Sequence, residues 1–417
     1  MARSKQITPK STKGRKQQQQ MAPAKKIKKS TKGRKQQQQI APAKKVKTLA
    51  SAKKAKAPIN QQQLPPDMIS DLSDCILIHI LSFLEAQEAV QTCILSKRWI
   101  NVWKKLPTLV VLYYSQFIDG VYEQFVHKLL SLRDDQTDIH SLKLHPPLDK
   151  KRNNSLVSHI VKYAFSHNVQ HLLLNFTYFK PNCFSFSCPT LKSLKLTSGH
   201  SVNSIFPNSL DFPALATLSL THFTFLPNQD GCARPFSTFN RLNTLILDKC
   251  KVLHEQNLCI SNTNLENLTI AMYGNTYSGS YFDIELYAPN LITFSFKGNH
   301  ISKVLGTKSF FPSIKQLTIN IRCFDKYKKN YSTLLNWLDT FNNVESLTVD
   351  TDTLEVLFNF HNLFKDKSPS LINLKSLKIE TYDLITLSQF DEEVDFLLQN
   401  SHSANVENII VDIWSKM

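Results

Sequence analysis

Glycine is scarce, with nine in 417 residues, and none falls in the GxGxxG or GxxxxGK[ST] spacing that brings backbone amides onto a phosphate. Nucleotide-dependent chemistry is disfavoured. The eight cysteines form no CxxC pair, which argues against the usual paired-thiolate zinc modules and thioredoxin-like redox motifs. They are expected to be reduced thiols packed as small hydrophobes, with no metal and no cofactor. No apolar run approaches the ~18 residues of a membrane helix, and no signal-peptide hydrophobic region is present. The expectation is a soluble protein of the nucleus or cytoplasm. The GxSxG elbow and the HExxH helix are also missing, and no cysteine stands out as an activated nucleophile. The chain therefore reads as non-catalytic.

Acidic residues are absent before Asp67, whereas 19 of the 50 Lys and Arg lie before Ile59. The remaining 31 (50 minus 19) face 33 acidic residues, so the body carries about −2 and the formal +17 belongs to the tail. A basic overall charge thus implies nothing about nucleic-acid binding by the folded part. Residues 10–28 recur at 29–47 with changes only at Met21/Ile40 and Ile27/Val46. Their Lys, Gln, Pro and Ala content has no apolar periodicity to offset the entropy of ordering, so residues 1–64 are expected to be a disordered basic tail. Within it Lys25, Lys26, Lys28, Lys29, Lys44, Lys45 and Lys47 form a candidate nuclear-import signal, and nucleic acid could be bound only through this segment.

Composition changes abruptly after the tail. Ile76, Leu77, Ile80, Leu81 and Leu84 recur at helical spacing after a possible Ser73 or Asp74 cap, and Ala89, Val90, Cys93 and Ile94 continue the pattern in a second segment. A third short helix is predicted to carry Trp99 and Trp103 on one face. Some forty residues in three short helices cannot bury this much apolar surface alone, so a partner is expected. Asp67 to Leu72, Ile80-Leu81-Ser82-Phe83-Leu84 and Leu95-Ser96-Lys97-Arg98-Trp99 with Trp103 resemble the F-box along its whole length. One departure is Ser73, where that family usually has proline. The resemblance places an F-box at 65–108 and implies a Skp-type adaptor as partner, bridging to a cullin-RING ubiquitin ligase. It also implies that Leu72, Ile76, Ile80, Leu81, Leu84, Val90, Leu95, Trp99 and Trp103 supply the adaptor contact or the packing directly beneath it.

From position 109 to 417 one short pattern, [LIV]xx[LFI]x[LFIV], recurs eleven times, starting at residues 139, 169, 191, 215, 242, 265, 291, 314, 344, 374 and 406. The intervals are those of leucine-rich repeats, or slightly longer. The predicted fold is α/β: an irregular leucine-rich-repeat solenoid whose parallel sheet forms a horseshoe, preceded by a small three-helix F-box and the disordered tail. Pro189, Pro213, Pro289 and Pro312 each stand two residues before a repeat. Outer helices are predicted where intervals are wide, around Leu156–Phe165 and Leu334–Phe341, and loops or short turns where they are narrow. This domain resembles the plant-abundant F-box/leucine-rich-repeat family, and residues from about 380 onward resemble its FBD segment.

Strand alternation assigns the groove-facing residues. Most are small and neutral, and the acidic ones, Asp248, Asp350, Glu380 and Asp412, are candidate substrate-binding positions for a basic segment of a protein target. The function expected on these grounds is that of a substrate receptor in a Skp–cullin–F-box ubiquitin ligase. The alternative is a chromatin or nucleic-acid binder driven by the tail, with a vestigial F-box.

Overall fold

A computed structural model describes residues 69–410, apart from 70, 115–119, 147–152, 177–186, 200–203, 208–209, 256, 273–281, 300, 306–310, 312, 322–327, 365–368, 382–389 and 402–403. The basic tail with its seven candidate import lysines lies outside the described residues, as does Asp412.

The chain enters through two short helices, α1 (Asp74–Leu81) and α2 (Ala86–Gln91), the second running into a 3-10 turn at Thr92–Ile94. The predicted third helix does not form. Residues 96–106 make successive i→i+3 turns, with Trp99 N–H donating to Ser96 at 3.1 Å and Val102 N–H to Trp99 at 3.3 Å, and end in a 3-10 turn at Trp103–Lys105. Tryptophan and β-branched residues in SKRWINVW lose side-chain freedom against a preceding helical turn, and Ser and Asn compete for its backbone groups. Trp99 and Trp103 are nonetheless both buried.

Twelve parallel strands then form one continuous sheet: Thr108–Leu112, Ser141–His145, His171–Phe176, Ser193–Ser198, Thr217–Thr221, Thr244–Asp248, Asn267–Met272, Thr293–Gly298, Gln316–Ile321, Ser346–Asp350, Ser376–Thr381 and Asn405–Ile410. One side-chain ladder runs across it in register from Leu109 through Leu142, Leu172, Leu194, Leu218, Leu245, Leu268, Phe294, Leu317 and Leu347 to Leu377. No single unit could bury that row; stacking does, so each repeat is stabilised through its neighbours. The strand at Thr108–Leu112 is a twelfth copy of the pattern, beginning at Leu106 within what reads as the F-box, and Leu106, Leu109 and Val111 are buried. The helical module therefore continues into the solenoid with no linker.

The prolines turn the chain into each strand. Pro189, Pro213 and Pro289 occupy the second position of turns closed by Leu191 N–H to Cys188 (3.4 Å), Leu215 N–H to Phe212 (3.0 Å) and Leu291 N–H to Ala288 (3.1 Å), the position for which their fixed φ is suited. Pro312 lies outside the described residues. Long units cover the convex side with helices: α3 (Val121–Leu132), α4 (Asn153–Ser166), α5 (Lys328–Thr340), α6 (Thr351–Phe364) and α7 (Asp391–Leu398). The short central units use strands instead of loops. One small parallel sheet is built from Ser204–Ile205, Phe223–Phe225 and Lys251–Val252, another from Cys232–Ala233, Asn257–Ser261, Ile284–Tyr287 and Val304–Leu305. Phenylalanines fill the space a helix would take: Phe206, Phe223, Phe225 and Phe236 are buried and pack edge-on, with centroids 5.4 to 6.0 Å apart for three of the pairs.

Two cysteines depart from expectation. Cys188 and Cys250 are buried free thiols, and burial pushes the Cys250 thiol up to about 12, leaving it inert. Cys232 and Cys259, by contrast, are joined, with Cα atoms 6.0 Å apart. They are 27 residues apart, about one repeat, so stacking sets them side by side. Cys75 is exposed and Cys93 half-buried; Cys183 and Cys323 lie outside the described residues.

Candidate functional site

The F-box-like module exposes a concentration of large apolar side chains. Ile69 (58%), Ile76 (45%), Ile80 (41%), Phe83 (77%), Ile94 (84%), Leu95 (63%) and Ile100 (45%) are all open to solvent. In α1, Leu77 and Leu81 face the core while Ile76 and Ile80, one position earlier, present a second apolar stripe outward. A helix apolar on two sides is unusual in a solvated module, and an exposed apolar patch of this kind marks a binding surface.

Arg98 holds the two halves of this surface together. Its guanidinium donates to the Leu72 carbonyl and, at 2.9 Å, to the Asp74 carboxylate, tying the segment that carries Leu95 and Ile100 to the first turn of α1. Ser73 occupies the N-cap position of α1 with extended backbone, but its side chain makes no capping bond. At the start of α2 the Glu85 amide donates to Glu88 at 3.1 Å, and Tyr114, just beyond the first strand, donates to the Glu85 carboxylate, bracing the module against the sheet.

The nine predicted contact residues separate into layers. Ile76, Ile80 and Leu95 are on the exposed face; Leu72, Leu84 and Val90 are half-buried and packed against the core; Leu81, Trp99 and Trp103 are buried beneath. Sequence reasoning did not single out Ile69, Phe83, Ile94 or Ile100 as contact positions. The available signal was phase for Phe83, which falls seven residues after Ile76 and three after Ile80 and so outside the Leu77/Leu81 stripe; Ile94 follows the apolar periodicity, and Ile69 and Ile100 lie outside the helices. Burying a side chain of this kind completely contributes about 1.5–3 kcal/mol. These are half-exposed already, so covering all seven amounts to something on the order of 7–10 kcal/mol before association costs.

The groove differs from expectation at its far end. Asp350 is fully buried and does not face a ligand. It caps α6: the Thr353 amide donates to its carboxylate at 3.0 Å, the Thr353 hydroxyl donates to it as well, and the Ile321 amide donates at 3.4 Å. The strand ends directly at the helix, so the residue that alternation assigned to the groove is needed at the helix N-terminus. Burial raises its pKa to about 6 against the bonds from Thr353, and the second carboxylate oxygen has no hydrogen-bond partner. Glu380 does lie on the half-buried groove face, where it accepts from the Asn320 amide at 2.7 Å, and Asp248 is half-buried likewise.

The last strand is offset from its predicted register. Leu377 pairs with Val406, Lys378 with Glu407 and Glu380 with Ile409, so Glu407 and Ile409 face the groove instead of Asn408 and Ile410. An ion pair of 3.5 Å between Lys378 and Glu407 places both on that face. All six residues of this strand are exposed, and a strand without a buried face has little to fix its register. At the opposite end Lys143, His145, His171 and Lys195 line the groove. Burial, then Lys143 and Lys195, hold His145 below the usual imidazole range, and burial, then His140 and Lys192, do the same for His171.

Among the described residues one group of potential metal ligands comes together, Cys232, Cys259 and Glu285 on the convex side, and no helix is long and apolar enough to cross a membrane.

A small helical module with an open apolar face is thus continuous with a twelve-stranded parallel repeat sheet. Comparison with known proteins specifies the class: residues 69–110 match the F-box domain. The chain is 27% identical over 305 residues to a putative F-box/LRR-repeat protein of Arabidopsis thaliana, covering 70% of this chain and 61% of that one. It is 28% identical over 373 residues to a putative F-box/FBD/LRR-repeat protein of the same plant, covering 82% and 78%, and 27% identical over 303 residues to another F-box/LRR-repeat protein, covering 71% and 94%. It thus carries an F-box domain and is similar across much of its length to plant F-box/leucine-rich-repeat proteins, while spanning only 61% and 44% of two of the relatives it matches.

Proposed function

We propose that this chain is the substrate-recognition subunit of a Skp–cullin–F-box ubiquitin ligase. The observation that carries the reading is the concentration of exposed isoleucine, leucine and phenylalanine between positions 69 and 100, inside the F-box match. That face docks a Skp-type adaptor, which bridges to the cullin-RING ligase. Ile76, Ile80, Phe83, Ile94 and Leu95 make the contact; Leu72, Leu84 and Val90 form its edge; Leu81, Trp99 and Trp103 support it from below. The repeat groove holds a protein target, with Glu380, Glu407 and Asp248 favouring a basic segment. The chain is non-catalytic, and its contribution is proximity: it raises the effective concentration of target lysines near the charged conjugating enzyme. It works in the nucleus or cytoplasm, with the tail lysines as import signal.

The test is complex formation between the full chain and a Skp-type adaptor by size-exclusion chromatography, repeated after deletion of residues 1–64. Retention of the complex without the tail supports the receptor reading. Failure of both forms to bind, with the chain folded, overturns it and leaves the tail-driven nucleic-acid binder.

A further inference from the structure

On the convex side, three adjacent short strands bring two sulfurs and one carboxylate together. Cys232, Cys259 and Glu285 place their ligand atoms within 4.8 Å of one another. Register explains the arrangement: Cys259 pairs with Glu285, and Asn257, two residues before Cys259, pairs with Cys232. Each member is held in place. Gly231 takes a left-handed φ of 77° to turn the chain into Cys232, whose amide donates to Asp230 at 3.1 Å. Asn257 donates to Oε1 of Glu285 at 2.9 Å, which aims Oε2 at the sulfurs, 3.0 Å from Cys259 Sγ and 3.5 Å from Cys232 Sγ. Both cysteines are buried and Glu285 is half-exposed.

The joined sulfurs are an unexpected neighbour for that oxygen. A disulfide has no S–H to donate, so in the oxidised form Oε2 lies against two sulfur atoms that offer it nothing. Two thiolates and a carboxylate, oriented from behind by an amide, are instead the donor set of a borderline-soft divalent cation. The orienting hydrogen bond from Asn257 is the kind of outer support that metal-binding carboxylates carry.

We propose that the reduced pair Cys232 and Cys259, together with Glu285, binds one thiophilic divalent cation of the zinc class on the convex face of the repeat domain. Reduction by a small-molecule thiol cleaves the S–S bond: two reductant thiols give up two electrons and two protons and become a disulfide, and the protein gains two S–H groups. The cation then displaces those two protons to form two metal–sulfur bonds, Glu285 supplies the third ligand, and the solvent side remains for water. The site clamps three successive units where, among the described residues, short strands stand in place of a covering α-helix. It is independent of the adaptor and substrate roles.

The experiment uses the full chain, reduced and desalted under anaerobic conditions, and titrated with cobalt(II) as an optical probe that zinc should displace. The expected result is a single equivalent bound with a sulfur-to-cobalt charge-transfer band, abolished in Cys232→Ser and in Cys259→Ser. Glu285→Gln, which keeps both sulfurs and can still accept from Asn257, should weaken binding roughly tenfold or more. Circular dichroism of each variant controls for folding, and the Gln variant remains informative if a serine variant misfolds. Absence of the band in reduced wild type overturns the proposal. So does a band that survives both serine substitutions, which would place cobalt on other cysteines, or cobalt affinity unchanged in Glu285→Gln.

Discussion

Replacing Asp350 by Asn should change how the stability of the repeat domain depends on pH. The carboxyl is held at about 6 instead of 3.8, chiefly by burial. At 1.36 kcal/mol per pH decade this corresponds to roughly 3 kcal/mol. The direction follows from proton counting: between about pH 4 and pH 6 the native state keeps a proton that the unfolded chain has released, so stability falls as pH rises through that window. Above it the protein carries the cost of a buried carboxylate whose second oxygen lacks a partner. Asp350→Asn retains an oxygen to accept from the Thr353 amide and removes the charge. The variant's stability minus that of wild type should therefore rise by roughly 2–3 kcal/mol between pH 4 and pH 7.5. Other titrating groups largely cancel in that difference. Denaturant titrations of both proteins across the range, followed by circular dichroism, measure it. Parallel curves, with a difference independent of pH, would refute the burial argument and return Asp350 to the groove.

Further outcomes follow from the same packing. Ile94→Asp, at the most exposed of the apolar positions, should leave the thermal midpoint nearly unchanged and weaken adaptor binding about tenfold or more, as read by pull-down titration. Trp99→Ala should also abolish binding, but by unfolding the module, because this side chain is buried; a lowered midpoint for the helical segment distinguishes the two cases. Trp337→Ala removes a fully buried ring packed on Phe294 and Phe296, with centroids 5.4 and 5.0 Å away, and should cost about 3–5 kcal/mol in chemical denaturation. Arg98→Ala breaks a partly exposed ion pair with Asp74 and should cost about 1 kcal/mol at most, mainly through the lost bond to the Leu72 carbonyl.

The repeat sheet was legible because it is periodic. Leucines at fixed offsets can bury themselves in only one way when units stack, and the ladder from Leu109 to Leu377 follows that rule. Where the constraint ends, so did legibility. Asn405–Ile410 is the edge strand of the described sheet and has no buried face, and its register shifted by three residues relative to the pattern. The copy at Leu106 was hidden because the same residues complete the helical module. The convex strands escaped notice because two- to five-residue pieces such as Cys232–Ala233 and Asn257–Ser261 carry no period of their own, and their pairing is imposed by the sheet behind them. The cysteine pair was in principle readable from a spacing of one repeat. At the site, the residue types were plain, but which stripe of α1 faces outward is decided by packing: Leu77 and Leu81 took the core, leaving Ile76 and Ile80 outside. Asp350 shows the converse, a position assigned to the groove by alternation and drawn into the protein by the helix that starts beside it.

The most direct test of the central claim is calorimetric titration of the full chain with a purified Skp-type adaptor, beside a folded Phe83→Asp, Ile94→Asp double variant. Tight one-to-one binding by wild type, with a negative heat-capacity change from apolar burial, and loss of binding in the variant is the predicted result. Equal affinity of the two proteins, or no binding by folded wild type, would contradict the assignment of this face as the ligase-docking surface.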